Sequence, residues 1–238
     1  MATRSILITG CSSGIGLAAA TALKTRGWRV FAAARKTEDV ARLNSLGLYG
    51  IQLDLNDSGS IQQAVQTVLT ATGGTLDALF NNAGVLIAGA VDDLSRSLIR
   101  QQFETNVFGP MELIQQVLPV MRRQGHGRIV QNSSILGVIA MPYYGAYNAS
   151  KFALDGFSQT LRQECRGTGI QVAILNPGPI TSALRSNAHT IFQNTIAKLP
   201  ESAHASTYRK MEKAYFFTTL DVFWRIKKTV GQSFLGLF

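Results

Sequence analysis

Short unbroken apolar runs alternate along the chain with longer stretches in which apolar residues recur every three or four positions. The runs SILIT (5–9), RVFAAA (29–34), GIQLD (50–54), DALF (77–80), RIVQN (128–132) and QVAIL (171–175) have strand length. Most are continuous in Val, Ile, Leu and Ala, the pattern of strands covered on both faces. Between them, segments such as IGLAAATALKTRG (15–27) and IQQAVQTVLTATG (61–73) carry helical spacing. Strand–helix alternation of this kind predicts an α/β fold, a doubly wound parallel sheet with helices on both faces. No repeat or low-complexity linker divides the chain, so a single domain over 1–238 is expected.

Two regions break the alternation. Residues 181 to about 215 are polar and mixed without a clear strand, and are expected to form a helical lid over a substrate. The segment 216–238 is rich in Phe, Leu and Trp around Arg225, Lys227 and Lys228. It reads either as a last helix and strand of the core or as an amphipathic element making peripheral contact with a membrane or partner.

Composition narrows the class. With 46% hydrophobic and 16% charged residues the chain has the material for a large core. No apolar run reaches transmembrane length, and MATRSILITG enters a strand directly, without a signal-peptide pattern. Cys11 and Cys165 lie far apart in unlike contexts, which argues against a disulfide framework and for a reducing, cytoplasmic location. His126, His189 and His204 show no ligand spacing, so no metal site is expected. The net charge of +9 suits an anionic partner or a polyphosphate cofactor. Its basic residues are scattered, with no zinc-finger spacing, RNP motif or long basic run, and nucleic-acid binding is not expected.

The candidate chemistry begins where the first strand ends, in TGCSSGIG. Gly10, Gly14 and Gly16, with Ser12, Ser13 and Ile15, form a small-residue loop between strand and helix. Such a loop lets a pyrophosphate approach the backbone, and the helix N-terminus adds free N–H groups and a positive dipole. The second strand ends at Arg35 and Lys36, where an NAD-binding chain would carry a carboxylate. Arg grips a ribose phosphate through paired, charge-assisted hydrogen bonds, so the cofactor is expected to be NADP(H); the alternative is a solvated basic turn. Asp54, followed by Leu55, is placed to accept from an adenine amino group.

In GAYNASKFALDGF (145–157), Tyr147 and Lys151 stand four apart on what reads as a helix, and therefore on one face. The pair is either a solvated surface pair or a proton-transfer pair in which the ammonium eases ionisation of the phenol. At ~5 Å and an effective dielectric of ~20 that attraction is about 3 kcal/mol, about two pKa units. Phe152, Leu154 and Phe157 read as the packed side of the helix, with a subunit contact as a further use.

In order and spacing, these motifs resemble the short-chain dehydrogenase/reductase family from Thr9 to about Ser182. The retinol/hydroxysteroid dehydrogenase-like and bacterial aldehyde reductase branch is the nearest in local sequence. The resemblance implies a Rossmann-type fold and a role for each matching position. TGCSSGIG is similar to the family's cofactor loop, and NNAG to its sheet motif, whose Asn82, Ala83 and Gly84 lie against the cofactor. Asn106 in ETNVFG, Ser134 in QNSSILG, Tyr147 and Lys151 match its catalytic tetrad; Ser134, preferred over Ser133, precedes Tyr147 by the family's usual thirteen residues. NPGPI with Ser182 resembles the nicotinamide-positioning loop and implies cofactor contacts for Pro177, Gly178, Ile180 and Ser182. In the family the tyrosine is the proton donor, the serine holds the substrate oxygen, the lysine also holds the nicotinamide ribose, and the asparagine holds a water that links the lysine to solvent. The family's seventh strand is not identifiable in 216–238.

Leu86, Ile135, Leu136, Met141 and Tyr144 are the expected substrate contacts; their apolar character points to a lipophilic aldehyde, ketone or alcohol, the alternative being plain core residues. Reduction of a ketoacyl group on an acidic carrier protein is a second enzymatic reading that the positive charge suits. A non-catalytic NADP(H) sensor is the reading from another class, and the presence of the whole tetrad weighs against it. The family's habit implies a homodimer or homotetramer built on helices near 100–124 and 147–167.

Overall fold

The computed structural model describes residues 3–199 and 201–214, and the expectations for 216–238 lie outside the described residues. Six strands, β1 (Ser5–Ile8), β2 (Arg29–Ala34), β3 (Tyr49–Gln52), β4 (Ala78–Asn81), β5 (Gly127–Asn132) and β6 (Ile170–Leu175), form one parallel sheet in the order β3-β2-β1-β4-β5-β6. The order reverses between β1 and β4, which opens a crevice at their C-terminal ends, the usual ligand position in such sheets. The strand positions read from the sequence agree with these within a residue or two at each end.

The unbroken apolar runs follow from two-sided burial. Along β1, Ile6 and Ile8 face one side, packing with Ala19, Ala20 and Leu23 of α1 (Gly14–Thr25) and Leu43 of α2 (Thr37–Ser45). Leu7 faces the other, in a core with Ile61, Val65 and Val68 of α3 (Ser58–Thr72) and Leu113, Val117 and Met121 of α5 (Gly109–Gln124). Each fully buried Leu or Ile contributes about 1.5–3 kcal/mol. The α1 face is lined largely with alanine, and this brings the helix close to the sheet.

Helix α4 (Arg96–Phe103) runs through a π turn at Glu104–Phe108 directly into α5. Pro110 supplies a local reason: it has no N–H to return to the Asn106 carbonyl four residues earlier. Helix α6 (Gly145–Glu164) carries the Tyr147–Lys151 face. Beyond β6 lie α7 (Leu184–Asn194), a 3-10 turn at Ile196–Lys198 and α8 (Ala205–Ala214). The region read as strandless and helical is therefore helical. No helix among the described residues is long and apolar enough to cross a membrane.

Candidate active site

The crevice at the switch in strand order is floored by backbone. Gly10 and Gly14 hold φ of +70° and +59°, and a Cβ on either would come within 2.7 Å of Ala83 or Ser182. A Cβ on Gly16 would lie 2.4 Å from the Gly10 carbonyl oxygen and 2.5 Å from Asn82 Nδ2. The loop thus presents the N-terminus of α1 to the cleft, and Ser13 at its N-cap makes no side-chain cap. Thr9 Oγ1 accepts from the backbone N–H groups of Asn82 and Ala83, both at 3.0 Å. Asn82 Nδ2 donates back to the carbonyls of Thr9 (2.8 Å) and Gly10 (3.1 Å), and Asn132 Nδ2 donates to Asn82 Oδ1 at 3.0 Å. These bonds weld β1, β4 and β5 together beneath the cleft.

Most of the expected cofactor residues meet here. Gly10, Ser12, Ser13, Gly14 and Ile15 line the cleft at the loop, with Arg35, Asp54 and Leu55 at one end. Asn82, Ala83 and Gly84 form its floor, and Pro177, Gly178, Ile180 and Ser182 line it from the segment after β6. Gly16 lies buried beneath, and Lys36 sits outside, exposed at the N-cap of α2. Asp54 Oδ1 accepts from the Asn56 N–H at 3.0 Å. The close-approach glycines and the free N-terminus of α1 fit a dinucleotide pyrophosphate. Arg42, which the sequence reading passed over, braces the loop by donating to the Ser12 carbonyl at 2.6 Å.

At the other end of the cleft stand Ser134, Tyr147 and Lys151. Tyr147 and Lys151 are 6% and 4% exposed, which removes the solvated-pair alternative. The ammonium Nζ lies 5.7 Å from the tyrosine ring centroid and donates to the Asn132 carbonyl at 2.7 Å. Ser134 caps a 3-10 turn at Ile135–Gly137, its Oγ accepting from the Leu136 N–H at 3.1 Å, and it hydrogen-bonds Tyr147. Ser133 also lines the cleft, with its Oγ toward Gly137.

Asn106 lies behind, in the π turn. Its Oδ1 accepts from the Val85 N–H (2.8 Å), and its Nδ2 donates to the Val85 carbonyl (3.0 Å) and to Ser150 Oγ (3.1 Å). The side-chain amide is thereby committed. Pro110 has no N–H to donate to the Asn106 main-chain carbonyl four residues earlier.

Burial pushes the Tyr147 phenol above its ordinary pKa, and the Ser134 hydrogen bond only partly opposes this. Lys151 is pulled down to about 8 by burial, against the attraction of Asp155. Desolvation of the enclosed phenol sets the direction of its shift. Tyr147 is therefore a protonated donor at neutral pH, and Lys151 is still mostly cationic there.

The expected substrate residues do not line this cleft. Leu86 and Tyr144 pack against an apolar cluster of Ile87, Ala146, Phe192, Ile196, Tyr208 and Met211 that fastens α7 and α8 to the segment after β4. Leu136 is buried, Met141 is half-buried and Ile135 is 40% exposed. Phe152 and Phe157 are exposed, at 46% and 53%, while Leu154 alone of the expected packed face enters the core. Tyr208 Oη accepts from the Ala90 N–H at 2.9 Å and donates to Asp93, which also accepts from Ser202 Oγ at 2.6 Å. No group of three potential metal ligands occurs among the described residues.

A family model described as short chain dehydrogenase matches residues 4–191. The uncharacterized oxidoreductase YbbO of Escherichia coli is 45% identical over 186 residues, covering 78% of this chain and 69% of that protein. A 3-ketodihydrosphingosine reductase of Bacteroides thetaiotaomicron is 37% identical over 183 residues, with coverages of 76% and 66%. Among solved structures, a short-chain dehydrogenase from Streptomyces avermitilis superposes with a TM-score of 0.72 at 36% identity, covering 75% of this chain and 66% of that one. The parallel sheet, the glycine loop and these likenesses agree: the chain is an oxidoreductase-type member of the short-chain dehydrogenase/reductase family.

Proposed function

We propose that this chain is an NADP(H)-dependent oxidoreductase acting between a lipophilic carbonyl and its alcohol. The observation that carries the reading is the convergence of Ser134, Tyr147 and Lys151 on the cleft that the glycine loop opens. Arg35 at the far end supports a ribose phosphate, and hence NADP(H) over NAD(H). The dinucleotide, held by the loop and the NNAG floor, supplies the hydride.

The chain's own residues supply the rest. Tyr147, kept protonated by burial, donates its phenolic proton to the carbonyl oxygen, and this sense of transfer suits reduction at neutral pH. Ser134, hydrogen-bonded to Tyr147, donates to the same oxygen as charge develops on it. Lys151, one turn on, stabilises the phenolate that remains and holds the nicotinamide ribose. The Asn106 carbonyl positions a water through which the proton is replaced.

The relative named for 3-ketodihydrosphingosine, a lipid ketone, supports a lipophilic substrate. So does the segment leaving Ser134, which leaves Ile135, Val138 and Ile139 exposed. Leu86 and Tyr144 then belong to the wall on which the α7–α8 lid rests. Exposed Phe108, Phe152 and Phe157 on the anticipated contact helices support a homodimer or homotetramer. A cytoplasmic location completes the reading.

Tyr147→Phe tests the mechanism. NADPH oxidation is followed with a panel of aldehydes, ketosteroids, retinal, long-chain ketones and ketoacyl thioesters, and kcat is expected to fall by at least about 100-fold. NADPH affinity by fluorescence titration should stay within about twofold, since the phenol ring is retained. Near-normal turnover in the variant would overturn the assignment. Turnover of ketoacyl thioesters alone would transfer it to an acyl-carrier substrate, and no turnover of any substrate by the unaltered chain would return it to a binding role.

A further inference from the structure

Asp155, four residues after Lys151, is a buried carboxylate outside the family tetrad, 8% exposed. A buried carboxylate is costly unless it is hydrogen-bonded and faces a cation. Its Oδ2 accepts from Asn176 Nδ2 at 2.9 Å, while Oδ1 accepts no hydrogen bond from the described residues. The same Asn176 amide donates to the Ser134 carbonyl at 3.0 Å. Asn176 opens the NPGPI segment, whose Pro177 carbonyl accepts from the Ile135 N–H at 3.0 Å. The 3-10 turn after Ser134 also sits tightly on this point: a Cβ on Gly137 would lie 2.7 Å from Ser133 Oγ and 3.1 Å from Asp155 Oδ2.

We propose that Asp155 is a positioning residue: through Asn176 it ties the Ser134 turn and the NPGPI segment to the helix of Tyr147 and Lys151, and it places a charge one helical turn from Lys151. The first role is steric and the second electrostatic, so they are separable. The attraction of Asp155 opposes the loss of charge that burial imposes on Lys151. The other groups around α6 do not take its place. Strand β6 and the turn at Ile135–Gly137 carry no titratable side chain. The π turn brings only exposed Glu104, and α4 brings exposed Arg96 and Arg100. On β5, Arg128 stands at the strand's opposite end from Asn132, and Tyr147 lies on α6 itself.

The catalytic consequence rests on the tetrad reading above, so the test includes a measurement that does not. Chain labelled with [ε-13C]lysine is titrated by NMR, with Lys151 assigned from Lys151→Met. Lys151 is expected to titrate near 8 in the unaltered chain. In Asp155→Asn, which keeps an acceptor for Asn176 but loses the charge, the midpoint is expected to fall by about one unit or more. The alkaline limb of kcat/KM for carbonyl reduction should move down by the same amount. Asn176→Ala, which keeps the carboxylate, should leave the Lys151 midpoint in place and lower NADPH affinity about tenfold through the loosened NPGPI segment.

An unchanged Lys151 midpoint in Asp155→Asn overturns the electrostatic role. Unchanged NADPH affinity in Asn176→Ala overturns the tie, and this second variant keeps the test alive if the first does not fold. If the unaltered chain turns over no substrate while the NMR midpoints shift as stated, the catalytic reading fails and the placement of Asp155 stands.

Discussion

The glycine-loop end of this molecule's cleft and the α7–α8 lid end of the molecule beside it are made of different material. The glycine-loop end is largely backbone: a Cβ on any of three glycines would come within 2.4–2.7 Å of a neighbouring atom, and the Asn82 side-chain amide donates hydrogen bonds to two backbone carbonyls. The lid end is side chain. Phe192, Ile196, Tyr208 and Met211 pack on Ile87 and Ala146, and a single carboxylate, Asp93, collects two hydroxyls. Tyr143, at a φ of +66°, joins in through its carbonyl, which accepts from the Gly89 N–H at 2.8 Å. A backbone-built surface tolerates no added atom, whereas a side-chain-built one can exchange residues of similar size.

Gly16→Ala is the sharpest way to break that contrast. Its methyl meets a carbonyl oxygen and the Asn82 amide, and neither can yield without moving β1 or β4. The expected loss is about 3 kcal/mol in chemical denaturation, with NADPH affinity down by more than tenfold in fluorescence titration. An unfolding midpoint equal to that of the unaltered chain would show that the loop is as adaptable as the lid.

The same contrast explains what the sequence makes legible. A backbone that must approach a pyrophosphate demands glycine at set positions, so TGCSSGIG, NNAG and the Tyr147–Lys151 spacing stand out as patterns. The strands announce themselves too, because burial on both faces leaves little but Val, Ile, Leu and Ala. Nothing in the residues around Asp93 announces that it will meet Tyr208, 115 positions away. The phenol's raised pKa was also hidden, since it depends on enclosure by elements remote in sequence. Asp155 had one local signal, its i+4 spacing from Lys151; that Asn176 would join it to Ser134 had none. The apolar residues expected at the substrate are less legible: an apolar residue near a site can face the site or its surroundings, and Leu86 and Tyr144 pack against the cluster under α7 and α8 while Ile135 is exposed.

Asp93→Ala probes the lid end. It removes the acceptor of a buried Tyr208 hydroxyl, 5% exposed, whose pKa burial and that hydrogen bond push up to about 12. The expected cost is about 2 kcal/mol, read as a lowered thermal midpoint. The KM for a long-chain carbonyl should rise severalfold while NADPH affinity is untouched. Because hydrogen bonds from Ser202 and Tyr208 lower the Asp93 pKa, the clasp is complete above the ordinary aspartate value. It is lost as pH falls through the lowered one. Equal damage to NADPH binding would mean that the two ends move as one body.

The smallest expected effect lies at the place where the glycine-loop end departs from its own rule. Arg35 is an exposed side chain beside a backbone-built cradle, and it carries the whole argument for a ribose phosphate. On the proposed reading the cradle would hold the pyrophosphate without it, so Arg35→Ala should leave NADH affinity within about twofold. NADPH affinity should fall about tenfold, the worth of one solvent-exposed, charge-assisted hydrogen-bonded contact. High salt should shrink that difference, because an exposed guanidinium is screened where buried backbone donors are not. Equal losses for the two dinucleotides would remove Arg35 from phosphate recognition. Selectivity would then rest on the neighbouring Lys36 side chain or, if the glycine-loop end is backbone-built throughout, on the loop itself.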